Sequence, residues 1–255
     1  MTAETSSAST AEEQRPGLVC LVWGAIATLL AILYTALLSP VAAVVSPFRD
    51  GHFVDLIGRL WSRMIIRTCG IRLDFRGLEN IQELQSFVIV ANHQSAFDIF
   101  ALLGYFPRAT RFVAKKELLK IPAFGFALTH AGHIVVDREQ GGKEVRKAVK
   151  MARSGFAVVF FAEGHRFSDN RVHPFSEGAA WLALLTRLPC VPLAISGSAA
   201  VHSRGALLIR PGKTIRLSFG KPIPTMGRRA AERAALTAEL QHQVMDLFDR
   251  ANRLD

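Results

Sequence analysis

From residue 16 to residue 48 the chain carries no charged side chain. Within that run, residues 18–38 make an apolar stretch of 21 residues. As a helix it would span roughly 30 Å, the thickness of a bilayer's hydrocarbon core. The 15 residues before it are small, polar and acidic, which predicts a disordered tail over 1–15. That acidic lead and the length of the run argue against a cleaved signal peptide. Pro40 and Pro47 predict a break in the later part of the run, leaving one span or a re-entrant hairpin in one leaflet.

The period then changes. Over residues 53–67, Phe53, Ile57, Leu60, Trp61, Met64 and Ile65 recur on one helical face, while Arg59, Arg63 and Arg67 recur every fourth residue on another. Two readings fit: a helix packed on the domain with a solvated arginine stripe, or one lying in the membrane interface with arginines facing lipid phosphates. From residue 71, short β-branched runs alternate with helical stretches. The strand candidates are IRLDF, SFVIVA, RFVAK, HIVVD, FAVVFF, CVPLAIS, ALLIR and TIRLSF. Helices are predicted over 141–153, 177–187 and 229–251, and PGK at 211–213 predicts a hairpin turn between the last two strands. The expected fold class is α/β, a mostly parallel central sheet flanked by helices. An N-terminal hydrophobic membrane anchor (16–48) and an amphipathic interfacial helix (49–70) precede a globular domain over 71–255.

Charge sharpens this picture. The net charge is +10 although half the residues are hydrophobic, so the surface attracts anions: nucleic acid, phosphorylated substrates or anionic lipid. No zinc-finger spacing, RNP motif or GXXG loop points to nucleic acid. The tail before the apolar run holds one Arg and three Glu, whereas Arg49, Arg59, Arg63 and Arg67 follow it. The positive-inside bias then places the bulk of the chain on the cytoplasmic side of a plasma (inner) membrane. Cys20, Cys69 and Cys190 are scattered, which fits a reducing compartment.

Two polar clusters follow apolar runs. In NHQSAFD, His93 stands just beyond a strand candidate and Asp98 lies five residues on. A carboxylate on one imidazole nitrogen fixes the tautomer and raises basicity at the other, the arrangement of a general base acting on an alcohol. The plainer reading is an Asn–His helix cap with Asp98 on the surface. In FFAEGHRFSD, Glu163, Gly164 and Arg166 follow the run FAVVFF. Arg offers a bidentate fork for phosphate, and glycine admits close backbone approach. The plainer reading is a Glu163–Arg166 salt bridge. Lys115, Lys116 and Lys120, and Arg138 after a further strand, add candidate anion ligands.

Together these blocks resemble the membrane-bound glycerolipid acyltransferases, specifically the 1-acyl-glycerol-3-phosphate (lysophosphatidate) acyltransferases. The family's NHxxxxD block is similar to residues 92–98, and its Lys-rich block with Asp-Arg to residues 116–125 with Asp137-Arg138. FPEGTRS is similar to residues 161–167, and VPV with a following Gly to residues 191–197. The resemblance covers residues about 70–220 and makes 71–255 an acyltransferase domain. It implies His93 as base and Asp98 as its orienting partner. Arg166, with Lys116 and Arg138, would hold the acceptor phosphate, and Glu163 would order the loop or bind a glycerol hydroxyl, with Gly164 beside it. The implied acyl donor is a thioester of CoA or of acyl carrier protein, transferred directly, with no cofactor and no metal. The implied partners are a lipid bilayer and a lysophospholipid acceptor, and the implied product is phosphatidate for phospholipid biosynthesis.

The third block departs from the pattern at Ala162, His165 and Phe167, and PFSEG replaces a lysine-bearing segment downstream. These changes bear on the acceptor, leaving glycerol-3-phosphate or another lyso-lipid such as lyso-ornithine lipid as alternatives. A non-catalytic membrane lipid-binding protein is a further alternative. A metalloenzyme using His93, Asp98 and His165, or His130 with His133, is another.

Overall fold

A computed structural model describes residues 17–45, 51–116, 133–136, 149–150 and 155–253. Seven strands form one sheet: β1 (Arg72–Arg76), β2 (Phe87–Ala91), β3 (Thr110–Lys115), β4 (Ile134–Val136), β5 (Ala157–Phe161), β6 (Cys190–Ser196) and β7 (Thr214–Phe219). Their spatial order is β1-β7-β6-β2-β5-β3-β4. Neighbours run parallel except β6 and β7, which are antiparallel. The expected mostly parallel sheet is therefore present.

The central strand shows why an unbroken apolar run suits this sheet. All five residues of β2 are buried, since both its faces are covered. Phe87, Ile89 and Ala91 point into a core shared with α2 (Gly51–Thr68) and α3 (Phe97–Tyr105). Val88 and Val90 point to the other side, against α4 (Gly178–Thr186) and α6 (Arg233–Asn252). A four-residue helix, α5 (Ser198–Val201), follows β6.

The N-terminal run is a single helix, α1 (Leu18–Val45), and Pro40 lies inside it. The expected break at Pro40 does not occur: a proline removes one helical hydrogen bond, and the helix continues past it. Pro47, the tail 1–15 and most of the predicted helix 141–153 lie outside the described residues. One face of α1 is docked on the domain. Trp23 Nε1 donates to the Thr68 carbonyl (3.0 Å), and Ile209 N–H donates to Thr28 Oγ1 (3.0 Å). Trp61 Nε1 donates to Thr35 Oγ1 (3.1 Å). At Gly24 the backbones meet so closely that a Cβ would lie 2.4 Å from the Ile209 carbonyl oxygen. The opposite strip, including Leu18, Val22, Leu29, Leu33, Leu37 and Val44, is exposed.

The arginine stripe on α2 has a use that neither sequence reading named. Arg63 donates to the Gly104 carbonyl (2.7 Å), and Arg59 to those of Phe106 and Arg108. The Gly104 and Phe106 carbonyls close α3, where helical C=O groups lack partners and cations are favoured, and Arg108 follows in the loop to β3. ALLIR is not a strand, and the expected PGK hairpin is absent. Arg210 N–H bonds Val201 O, Ile209 is held by α1, and β7 pairs instead with β6 and β1. Gly212 still makes a turn, with φ 74°, and its N–H bonds Cys69 O.

Candidate active site

The site sits where parallel strands β2 and β5 end. Ala91 pairs with Phe161, so His93 and Glu163 each stand two residues beyond matched positions. This is the carboxyl edge of the sheet, where ligands of open α/β sheets collect. Asn92 fixes the first of these ends. Its Nδ2 donates to the Ile195 carbonyl (2.9 Å) and its Oδ1 accepts from Ile195 N–H (2.8 Å), stitching the end of β2 to β6.

His93 Nδ1–H donates to Asp98 Oδ2 at 2.8 Å. The same oxygen accepts the backbone N–H groups of Gln94 (2.8 Å) and Ser95 (2.9 Å). Asp98 is fully buried in the first turn of α3, where the helix dipole favours a carboxylate. The plainer reading of NHQSAFD is thereby corrected: the N-cap of α3 is Ala96, and Asp98 is not on the surface. The imidazole lies flat on the Phe161 ring, with centroids 3.9 Å apart and planes 14° from parallel. Carboxylate and ring together fix its plane and tautomer. Among the described residues Nε2 meets no hydrogen-bond partner, and the side chain keeps 12% of its surface exposed.

Glu163 does not form the salt bridge with Arg166 considered above. Its Oε2 accepts His93 N–H (2.8 Å) and its Oε1 accepts His173 N–H (2.9 Å). It therefore braces the backbone of the His93 loop from the β5 side. Burial pushes its carboxyl up to about 7, outweighing the two backbone donors that pull it down. Gly164 follows with φ 71°, in the left-handed region that costs glycine least, and its N–H closes a turn on Phe161 O (3.1 Å). Arg166 is exposed on that loop. Burial, and then the charge of Arg166, lower the basicity of His202.

His93, Asp98 and Glu163 are joined by direct bonds, with Gly164 and Arg166 on the adjoining loop. Lys116 is exposed just after β3, which β5 separates from β2. Arg138 lies outside the described residues. Among the described residues no three His, Cys, Asp or Glu side chains gather as metal ligands. His133, one of the histidines considered for a metal, accepts Phe112 N–H at Nδ1 (3.2 Å), and burial lowers its basicity to about 3.

Several site residues were not singled out from sequence. Ser168 Oγ–H donates to the Gln94 carbonyl (2.9 Å) and accepts Arg204 N–H (2.9 Å), and Ser95 Oγ–H donates to the His202 carbonyl (2.8 Å). His173 stacks on Phe167 (3.8 Å) and bonds the Asp169 carboxylate. Asp169 and His173 lie in a loop, where their spacing alone does not bring the side chains together. The serine bridges carry no local signal either, because they join segments distant in the chain.

A family profile described as Acyltransferase matches residues 72–196. The chain is 30% identical over 208 residues to the chloroplastic 1-acyl-sn-glycerol-3-phosphate acyltransferase BAT2 of Brassica napus, covering 80% of this chain and 59% of that protein. The 1-acyl-sn-glycerol-3-phosphate acyltransferase of Cocos nucifera is 30% identical over 175 residues, 67% of this chain and 56% of that protein. The alpha form from Homo sapiens is 29% identical over 223 residues, 85% of this chain and 77% of that protein. The chain thus spans less than two thirds of the plant relatives' length. Among solved structures, the 1-acyl-sn-glycerophosphate acyltransferase PlsC from Thermotoga maritima superimposes with a TM-score of 0.75 at 22% identity, covering 91% of this chain and 97% of that one. That likeness concerns the fold.

Proposed function

Residues 72–196 belong to the acyltransferase family, and on that premise we propose that this protein transfers a fatty acyl group from a thioester to the free hydroxyl of lysophosphatidate, yielding phosphatidate. His93 Nε2 accepts the hydroxyl proton as the oxygen attacks the thioester carbonyl. Asp98 holds the Nδ1 tautomer and stabilises the imidazolium. The tetrahedral intermediate collapses with loss of the thiolate, which takes the proton back from His93. The donor is acyl-CoA or acyl carrier protein, and no cofactor takes part. Glu163 is a positioning residue for the His93 loop, and Gly164 shapes its turn. Arg166, with Lys116 and Arg138, holds the acceptor phosphate.

The observation that carries this reading is the His93–Asp98 pair, whose carboxylate is anchored by two further backbone donors. His93→Ala and Asp98→Asn should each lower kcat about 10²–10⁴-fold while the protein stays folded, measured on membranes with lysophosphatidate and acyl-CoA or acyl carrier protein. Full activity in His93→Ala would refute the base assignment. Arg166→Ala should raise KM for lysophosphatidate and leave that for the donor alone. An acceptor panel with glycerol-3-phosphate and lyso-ornithine lipid tests the phosphate role, which fails if only the phosphorus-free lipid is acylated.

The reading places the protein on the inner membrane with its catalytic domain facing the cytoplasm. Both α1 and α2 serve as anchor. Because Gly24, Ala27, Thr28 and Thr35 are committed to the domain, α1 runs along it and offers its bare strip to acyl chains. Phe53, Leu56 and Leu60 on α2 are exposed at helical spacing and extend that surface. Protease accessibility in inverted and right-side-out vesicles tests the sidedness.

A further inference from the structure

The loop from His202 to Ile209 carries the most exposed large apolar side chain among the described residues, Leu207 at 88%, beside Leu208 at 41%. The excursion is braced. Arg210 N–H closes its base on Val201 O (2.8 Å), and Ala206 N–H bonds Ser203 O (3.1 Å). Gly205 turns it with φ 83°. A braced loop that holds two leucines in water pays for them without return unless something covers them.

Its surroundings say what that cover is. Ile209, next in sequence, is fixed to α1 at Gly24 and Thr28, so the leucines adjoin the helix whose other face is a bare apolar strip. Arginines flank the apolar tip at positions 204 and 210. Apolar residues between cations, next in the chain to a residue held on an apolar helix, match a surface of acyl chains under anionic headgroups. The other end of the loop reaches the catalytic centre: His202 O accepts Ser95 Oγ–H, and Arg204 N–H donates to Ser168 Oγ.

We propose that residues 204–208 form a second bilayer contact, with Leu207 and Leu208 inserted among the acyl chains of an anionic leaflet, and that this contact holds the mouth of the site against the membrane. The inference rests on the membrane reading of α1 given above. The lipid-facing loop is tied to the segments carrying His93 and Arg166, so an acceptor leaving the bilayer beside Leu207 meets both.

The test uses the full chain with Cys20→Ser, since Cys69 and Cys190 are buried. Single cysteines placed by Leu207→Cys, Leu29→Cys and Met226→Cys receive an environment-sensitive fluorophore. The protein is then bound to phosphatidylglycerol–phosphatidylcholine vesicles with or without brominated acyl chains. Leu29 reports the α1 strip, and Met226 is a control exposed by 79%. The expected result is bromine quenching at 207 comparable to that at 29, and none at 226. Quenching at 29 without quenching at 207 overturns the loop contact and leaves the anchor standing. No quenching at either overturns both. A second readout is kinetic. Leu207→Asp should raise KM several-fold for an acceptor embedded in vesicles, with no change for a short-chain monomeric acceptor. Equal loss on both would overturn the proposal.

Discussion

Glu163 and Asp98 are two buried carboxylates within one small site, used in different ways. Asp98 gathers three donors on one oxygen. Glu163 spreads two backbone donors over two oxygens, and burial still raises its carboxyl to about 7. In the unfolded chain that group titrates near the ordinary value of 4.5. Between these values the folded state binds more protons than the unfolded one. Its contribution to stability is therefore greatest below about 4.5 and declines as pH rises towards 7, by at most about 3 kcal/mol. Glu163→Gln should flatten that slope in denaturant titrations at pH 5 and pH 7. It should also lower stability at pH 5, because an amide can accept only one of the two N–H groups. An unchanged slope would exclude Glu163 as its source. The spacing of His93 and Asp98 was legible because five residues across a helix start bring the side chains together. The role of Glu163 was not, because it depends on β2 and β5 being neighbours in matched register, which no local pattern encodes.

At the scale of elements, period and composition located α1, α2, α4, α6 and the central strands, whose apolar residues alternate between two covered faces. They failed where tertiary contacts override local pattern. The run ALLIR reads as a strand, yet Ile209 is held by α1 and the leucines before it are bare. Charged residues that read as a solvated stripe instead tie elements together: Arg59 and Arg63 bond the Phe106 and Gly104 carbonyls at the end of α3. Arg111 on β3 does the same for α2, making a bidentate pair with Asp55 at 2.9 Å on both oxygens while packing over Phe156. Both side chains are largely buried, so removing one partner strands the other charge. Arg111→Met and Asp55→Leu should each cost about 3–5 kcal/mol, and the double substitution less than their sum. A double-mutant cycle by urea unfolding measures the coupling, and strict additivity would show that the pair does not hold α2 to the sheet.

For the whole molecule the question is whether the hydrophobic N-terminus is a tether or part of the fold. A tether would leave the domain's core closed behind it. Here Ala27 of α1 is fully buried in the main core cluster with Ile65, Ile66, Cys69 and Ile209. The Trp23 indole lies where a Cβ on Gly70 would come within 2.7 Å of it, and it also covers Gly212. Two hydroxyls of α1, Thr28 and Thr35, bond groups of the domain that would otherwise lose their partners. Removing residues 1–48 should therefore uncover apolar core and the backbone around Ile209 rather than release an intact soluble domain. The truncated chain should unfold at lower denaturant than the full chain in the same detergent, and should lose activity even on a short-chain monomeric acceptor that needs no bilayer. If the truncated chain matched the full one in unfolding midpoint and in turnover of that acceptor, α1 would be a tether alone. The braced loop at 202–209 would then hold its position without the helix on which it rests.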